Sequence, residues 1–384
     1  MNRFEFATAH RILFGPGTLR EVGPVAKSFG GRALVATGRD KSRARRLLSF
    51  LRAAGVKCFT FSVIGEPTTD LVRRGTHLAR DERCDLVIGF GGGSALDAAK
   101  AIAALLANGG DPLDYLEVIG RGQPFTKLAA PCITIPTTAG TGAEVTRNAV
   151  IGAPEHRVKV SLRSPLMLPR VAIVDPDLTR KLPRRITAYC GLDALSQLIE
   201  PFVSVKANPM TDAFCRQGIR LVARSLHAAC RGDDPAARQD MSLASLLSGL
   251  ALANAGLGAV HGFAAPIGGM FPVPHGAVCA ALLAAGMEVN ICALCERRPG
   301  SECLRRYDEV AQLLTGESSA SADDGVAWVR DLCAVVKVEP LGAWGITEKH
   351  FPTLVDKAAA ASSMKGNPIA LSQSDLRKIL TRSV

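Results

Sequence analysis

The stretch Leu86-Val-Ile-Gly-Phe-Gly91-Gly-Gly-Ser94-Ala-Leu-Asp97-Ala-Ala-Lys100 constrains the fold more than any other part of the 384-residue chain. An apolar strand runs straight into three consecutive glycines, and a helical pattern begins at once behind them. Glycine permits positive φ and lets a backbone approach an anion closely. Unpaired N–H groups at the start of a helix, aided by the helix dipole, favour a phosphate there. A tight strand-to-helix connection needs one glycine rather than three, so the turn reads as a pyrophosphate site. The spacing is not G-x-G-x-x-G, and the usual Rossmann label does not follow from it.

The surrounding pattern supplies the frame for that turn. Strands are expected at 11–14, 33–36, 58–63, 85–89, 133–136 and 171–174. Helices are expected from about residue 18, then at 41–54, 69–81 and 95–106. Strands and helices alternating at this spacing imply a doubly wound parallel sheet. From about Leu182 strand-like runs nearly vanish. Long helical stretches follow at 185–203, 209–228, 235–255, 277–293, 302–314, 322–335 and 348–361. Two domains are therefore expected, an α/β unit at 1–182 and an all-helical unit at 183–384.

Composition bounds the function class. An apolar fraction of 47% with 21% charged residues is that of a soluble globular protein. The start of the chain carries an acid and no apolar run, so no signal peptide is read there. The apolar stretch 246–260 is built from Ala, Gly and Asn and lacks the roughly 20 strongly apolar residues of a bilayer span. The 11 scattered cysteines read as free thiols in a reducing compartment, and a cytoplasmic protein without membrane contact is expected. Cys292 and Cys295 form a CxxC inside a helical pattern, with no second pair at matching spacing. The net charge of +11 raises nucleic acid as a partner, but aromatics are only 5% and no basic-aromatic platform is visible. No nucleic-acid partner is expected.

Thr137-Thr-Ala-Gly140-Thr-Gly142-Ala-Glu144 follows another strand and suits a ligand-facing loop at the carboxyl ends of an open sheet. With the glycine turn it describes a dinucleotide across the sheet edge. A carboxylate after an early strand bonds the ribose 2′-hydroxyl and repels a 2′-phosphate. Here strand 33–36 leads to Gly38 and Arg39, with Asp40, Lys41, Ser42 and Arg43 behind. The expectation is that NADP(H) is accepted alongside NAD(H).

A second constellation lies in the helical half. His261 and His275 end a stretch almost without charge, containing Pro266, Pro272 and Pro274. Proline in a helix interior costs about 3 kcal/mol, so this segment is expected to be partly loop. Two imidazoles in such surroundings are either core histidines or metal ligands. Upstream, Asp193 and Gln197 stand four apart on a helix and share a face. Two His and one carboxylate with an open position suit catalysis by Zn²⁺ or Fe²⁺.

Gly91-Gly-Gly-Ser94-x-x-Asp97-x-x-Lys100, Thr137-Thr-x-x-Thr141-Gly-x-Glu144, Gly191-Leu-Asp193-Ala-Leu and Pro274-His275-Gly276 occur in the order of a known family. The chain resembles the iron-containing (group III) alcohol dehydrogenases over nearly its whole length. That resemblance implies the dehydroquinate synthase-like fold, an amino-terminal cofactor domain and a carboxy-terminal helical domain with the active site in the cleft between them. It implies catalytic metal ligands at Asp193, His261 and His275, with Gln197 a possible fourth. It implies cofactor contacts at Gly92, Gly93, Ser94, Asp97, Thr137, Thr138 and Lys159, beside Gly38 and Arg39. A homo-oligomer, dimer or larger, is also implied. Three departures stand out. Gly38 replaces the aspartate common in NAD-preferring members. Gln197 and Ala265 stand where the family usually has histidines. The related glycerol dehydrogenases hold zinc with one Asp and two His, so one Fe²⁺ or Zn²⁺ remains expected.

The function so implied is NAD(P)-dependent, metal-assisted interconversion of an alcohol and an aldehyde or ketone by hydride transfer. One rival is a reductase of an oxo acid, similar to maleylacetate reductase, with Arg147, Arg157, Lys159 and Arg163 meeting a carboxylate. Another is a cofactor-binding protein whose catalysis has decayed with the two histidines. His156 and His227 are expected to be ordinary surface or core residues.

Overall fold

A computed structural model describes Arg3–His156 and Val158–Val384. Arg157, one of the four basic residues considered for an oxo acid, lies outside the described residues. Contacts divide the described residues into two compact units after Arg180, with residues 3–6 and Ala139–Thr141 grouped with the second unit.

The first unit is built on strands β1 (Arg11–Phe14), β2 (Arg32–Thr37), β3 (Lys57–Ser62), β4 (Leu86–Gly91) and β5 (Cys132–Pro136). A hairpin of β6 (Asn148–Ala153) and β7 (Val158–Arg163) precedes the last strand, β8 (Val171–Val174). Helices α1 (Val22–Lys27), α2 (Arg45–Ala53), α3 (Thr69–Asp81), α4 (Gly93–Asn108) and the single turn α5 (Pro112–Tyr115) connect them. The six-stranded sheet is parallel throughout, in the order β1-β8-β5-β4-β2-β3.

Alternation along the strands sorts side chains between two layers. Ala33 and Val35 of β2 with Leu86, Ile88 and Phe90 of β4 pack against α1 and α2. Leu34 and Ala36 with Val87 face α3 and α4. At Gly89 a Cβ would stand 2.9 Å from the Ala99 Cβ, so glycine is what lets α4 lie directly on β4. The chain runs outward from β2 to β3, then returns to the other side of β2 for β4. The order of strands thus reverses between β2 and β4, and open α/β sheets bind ligands outside the carboxyl ends of such a pair.

The second unit is helical: α6 (Arg184–Val203), α7 (Pro209–Arg231), α8 (Pro235–Ala255), α9 (Ala259–Met270), α10 (His275–Arg297), α11 (Glu302–Thr315), α12 (Ala322–Val336), α13 (Phe351–Ala360) and α14 (Gln373–Thr381). Helix α6 is its axis, buried from Gly191 through Val203 and packed on α7, α8 and α10. Helix α10 is long and apolar enough to cross a membrane by length and composition alone, yet 72% of its most apolar window is buried inside the fold. It packs on α6, α9, α12 and α14, as a core helix does.

The segment expected to be partly loop is helical over Ala259–Met270 and irregular only from Phe271 to Pro274. Pro266 sits inside α9, and α9 turns away from α8 by 99°. Also unanticipated are the β6–β7 hairpin and α14. Cys292 and Cys295 are exposed free thiols on α10.

Candidate metal centre and nucleotide turn

Asp193, Gln197 and Glu200 follow one another at i, i+4 and i+7, so α6 carries all three on one face. His261 is the third residue of α9, and His275 is the first residue of α10, directly after Pro274. Cys279 stands one turn later on the His275 face. The helices bring Asp193, His261, His275 and Cys279 together, each offering a ligand atom within 4.8 Å of the others. Among the described residues this is the one convergent group of three or more His, Cys, Asp or Glu donors.

The Asp193 carboxylate is buried, and its Oδ1 has no hydrogen-bond partner. The Nε2 atoms of His261 and His275 stand 3.4 and 3.6 Å from it. Charge-assisted N–H···O bonds are about 2.7–2.9 Å, so these separations are too long for one. A buried, unsatisfied carboxylate oxygen facing two imidazole nitrogens is costly unless a cation joins them. The donor set therefore fits a divalent metal. His261 is buried, whereas the His275 side chain is 40% exposed, which leaves one flank of the centre open.

Electrostatics agree. Burial pushes the Asp193 carboxyl up, but the His275 and His261 imidazoles outweigh it and hold it below the ordinary range. Burial pushes both imidazoles down. The neighbouring Cys279 sulfur and Asp193, with Glu200 beside His261, overcome this, so both lie above an ordinary imidazole, His275 at about 9. The cluster attracts positive charge, for which protons and a metal compete.

Glu200 supports the centre from behind. Its Oε2 lies 2.6 Å from His261 Nδ1, and its Oε1 accepts the Val260 N–H at 2.7 Å. One carboxylate thus caps the amino end of α9 and, by engaging Nδ1, holds the ring with Nε2 turned towards Asp193. Asn367 Oδ1 accepts the Ala259 N–H and is itself bonded to Asn290. A Cβ on Gly258 would meet Asn367 Oδ1 at 2.8 Å and Glu200 Oε1 at 3.0 Å, so only glycine admits both caps. Gln197 is buried, and its Oε1 accepts the Ser248 hydroxyl at 3.0 Å. Ala265 is exposed on α9.

Glu200 and Cys279 were not singled out in the sequence. Both carried a signal: Glu200 is seven residues from Asp193 on a helix, and Cys279 four from His275.

In the first unit, Gly92 is the residue before α4, and no side chain caps that helix. Its place for a Cβ is 3.4 Å from Thr138 Oγ1, so the two expected cofactor loops adjoin. The Thr137 N–H bonds to Gly91 O at 2.8 Å. Gly93 and Ser94 occupy the uncapped first turn of α4, where N–H groups favour phosphate. A Cβ on Gly91 would be 3.6 Å from Gly38 N, which puts the end of β2 beside the glycine turn at the reversal of strand order.

Asp97 is engaged internally. Its Oδ2 accepts the Val150 N–H at 2.9 Å, and its Oδ1 pairs with Lys100 Nζ at 3.0 Å. Lys100 is fully buried and also donates to Ala143 O and Thr146 Oγ1, both at 2.9 Å, and to Asn148 O. Together they pin the β6–β7 hairpin to α4. Lys159 pairs with Glu66 at 2.5 Å. Past β2, Gly38 has open space around it and Arg39 is exposed. Asp40 turns back to accept the Ser42 N–H at 2.9 Å, and the Ser42 side chain, with that N–H, lowers its pKa.

Comparison with known proteins respects the same division. Residues 9–176 match the family described as iron-containing alcohol dehydrogenase, and residues 187–384 match its carboxy-terminal domain. The chain is 34% identical to long-chain-alcohol dehydrogenase 1 of Geobacillus thermodenitrificans, covering 96% of this chain and 95% of that protein. It is 31% identical to the NAD-dependent methanol dehydrogenase of Bacillus methanolicus, covering 97% of each. Its fold superposes on the crystal structure of a 1,3-propanediol oxidoreductase with a TM-score of 0.93, at 31% identity over the whole of both chains.

Proposed function

The chain belongs to the iron-containing alcohol dehydrogenase family and is an oxidoreductase acting on alcohols and aldehydes; from that premise we propose that Asp193, His261 and His275 hold its divalent metal. The observation that carries this reading is the buried, unpartnered Asp193 Oδ1 facing two imidazole nitrogens. When bound, a divalent cation supplies Lewis acidity, which polarises a carbonyl or eases ionisation of an alcohol. The nicotinamide supplies the hydride chemistry.

The chain's own groups prepare that chemistry. Glu200 fixes His261 so that Nε2 is the ligating atom. The exposed flank at His275 is where a small alcohol or aldehyde approaches. Gly92, Gly93 and Ser94 present backbone N–H groups to the cofactor pyrophosphate, flanked by Thr137 and Thr138. Asp97 and Lys159 act on the cofactor side through the elements they hold, given their bonds to Lys100, Val150 and Glu66. No side-chain acid stands at Ala265, so protons pass by water or by a ribose hydroxyl.

NADP(H) is accepted alongside NAD(H). Gly38 offers no carboxylate to repel a 2′-phosphate, Asp40 is committed to capping Ser42, and Arg39, Lys41 and Arg43 are exposed nearby. Neutral substrates are favoured over oxo acids, because Lys159 is already neutralised by Glu66. A panel of neutral alcohols and aldehydes against oxo acids, with each cofactor, tests the reading. Turnover confined to oxo acids would replace it, and tight cofactor binding without turnover on any substrate would refute it.

A further inference from the structure

The fourth donor of the centre is a sulfur. Cys279 is fully buried, and its Sγ lies 3.6 Å from His275 Nε2 and 3.8 Å from His261 Nε2. It shares the centre with the unpartnered Asp193 Oδ1, which is an independent sign that the four atoms surround a ligand. The separations carry more information than the proximity. Tetrahedral zinc has bonds of about 2.3 Å to sulfur, about 2.05 Å to imidazole and about 2.1 Å to carboxylate. Those lengths at the tetrahedral angle give N···S edges of about 3.6 Å and N···O edges of about 3.4 Å. The observed N···S pairs are 3.6 and 3.8 Å, and the observed N···O pairs are 3.4 and 3.6 Å. Donors at right angles, as in an octahedron, would stand nearer about 3.1 Å for N···S and about 2.9 Å for N···O with the same bonds.

We propose that Cys279 is a metal ligand in this chain, completing an Asp193–His261–His275–Cys279 centre suited to zinc. It stands in for the imidazole lost at position 197, where Gln197 Oε1 is taken by Ser248. Thiolate is a soft donor that favours zinc over harder, octahedral ions. On loading, the Cys279 thiol gives its proton to water and binds as thiolate. The inference rests on the metal-dependent reading of the previous subsection.

The test is X-ray absorption at the zinc edge of the loaded full-length protein, with the near-ultraviolet spectrum of its Co²⁺ form. The wild type should show one sulfur at about 2.3 Å and a thiolate-to-cobalt charge-transfer band. Both should vanish in Cys279→Ser and Cys279→Ala while persisting in Cys190→Ala. Zinc affinity of Cys279→Ala should fall by at least the roughly tenfold that loss of an outer supporting group costs. Should Cys279→Ala fail to fold, the wild-type sulfur shell and Cys279→Ser still decide. A wild-type centre of nitrogen and oxygen ligands alone overturns the proposal and leaves the metal-dependent reading intact. A wild type that binds no metal overturns both.

Discussion

Replacing Glu200 by glutamine changes one atom of the support behind His261, and the hydrogen bonds around that atom determine the effect. The carboxylate accepts twice, from Val260 N–H at 2.7 Å and towards His261 Nδ1 at 2.6 Å. An amide has one acceptor and one donor. With its oxygen kept on Val260, its NH₂ faces Nδ1, and His261 must move its proton to Nε2. Every bond is then satisfied, but the proton occupies the lone pair a metal needs. Metal binding forces the other arrangement, in which the NH₂ opposes the Val260 N–H. A buried donor left without an acceptor costs about 1–3 kcal/mol. At about 1.4 kcal/mol per tenfold, that is a loss of roughly 5–150-fold in metal affinity. Zinc competition with a chromophoric chelator measures it, and thermal unfolding of the metal-free protein supplies the control. Glu200→Gln should lose metal affinity while the metal-free protein keeps its Tm. Unchanged affinity with a lowered metal-free Tm would refute the argument and make Glu200 only a helix cap.

Three further outcomes are expected. Gly38→Asp, placed where nothing lies within 4 Å of a Cβ, should raise the NAD-to-NADP ratio of kcat/KM by roughly tenfold or more, as a charged hydrogen bond to the ribose and repulsion of a 2′-phosphate act together; an unchanged ratio would place the adenosine ribose elsewhere. Lys100→Met strips a buried cation from Asp97, Ala143, Thr146 and Asn148, and should destabilise the α/β unit by roughly 3–5 kcal/mol in chemical denaturation. Burial raises the Glu144 carboxyl from 4.5 to about 7, so its neutral form stabilises the fold below the unfolded value, and that contribution is lost as pH rises through about 7. Glu144→Gln should therefore gain on the wild type by roughly 2.5 kcal/mol between pH 5 and pH 8, and a pH-independent difference would mean that Glu144 ionises normally.

Much of the fold was legible in the residues because period and turn chemistry agree. The Thr69–Asp81, Pro235–Ala255 and Val171–Val174 elements run as their periodicity implies. The hairpin was hidden by charge. Val158, Val160 and Leu162 alternate with Lys159, Ser161 and Arg163, a strand pattern that also reads as a solvated basic stretch. Helix α9 was hidden by its glycines and Pro266, whose local cost is offset by capping from Glu200 and Asn367, distant in sequence. The same distance explains the centre. Asp193, His261 and His275 bear residue types that advertise metal chemistry. Cys279 resembles the other ten thiols, and Glu200 resembles any helix acid, until α6 and α10 are packed together.

The most direct test of the central claim joins metal content to turnover. Bound metal would be measured by mass spectrometry, and aldehyde reduction monitored before chelation, after chelation and on reloading. Activity should fall with the metal and return with it. His275→Ala should abolish most turnover, whereas His227→Ala, an exposed position on α7, should leave it unchanged. A metal-free protein that reduces aldehydes at the full rate would contradict the account.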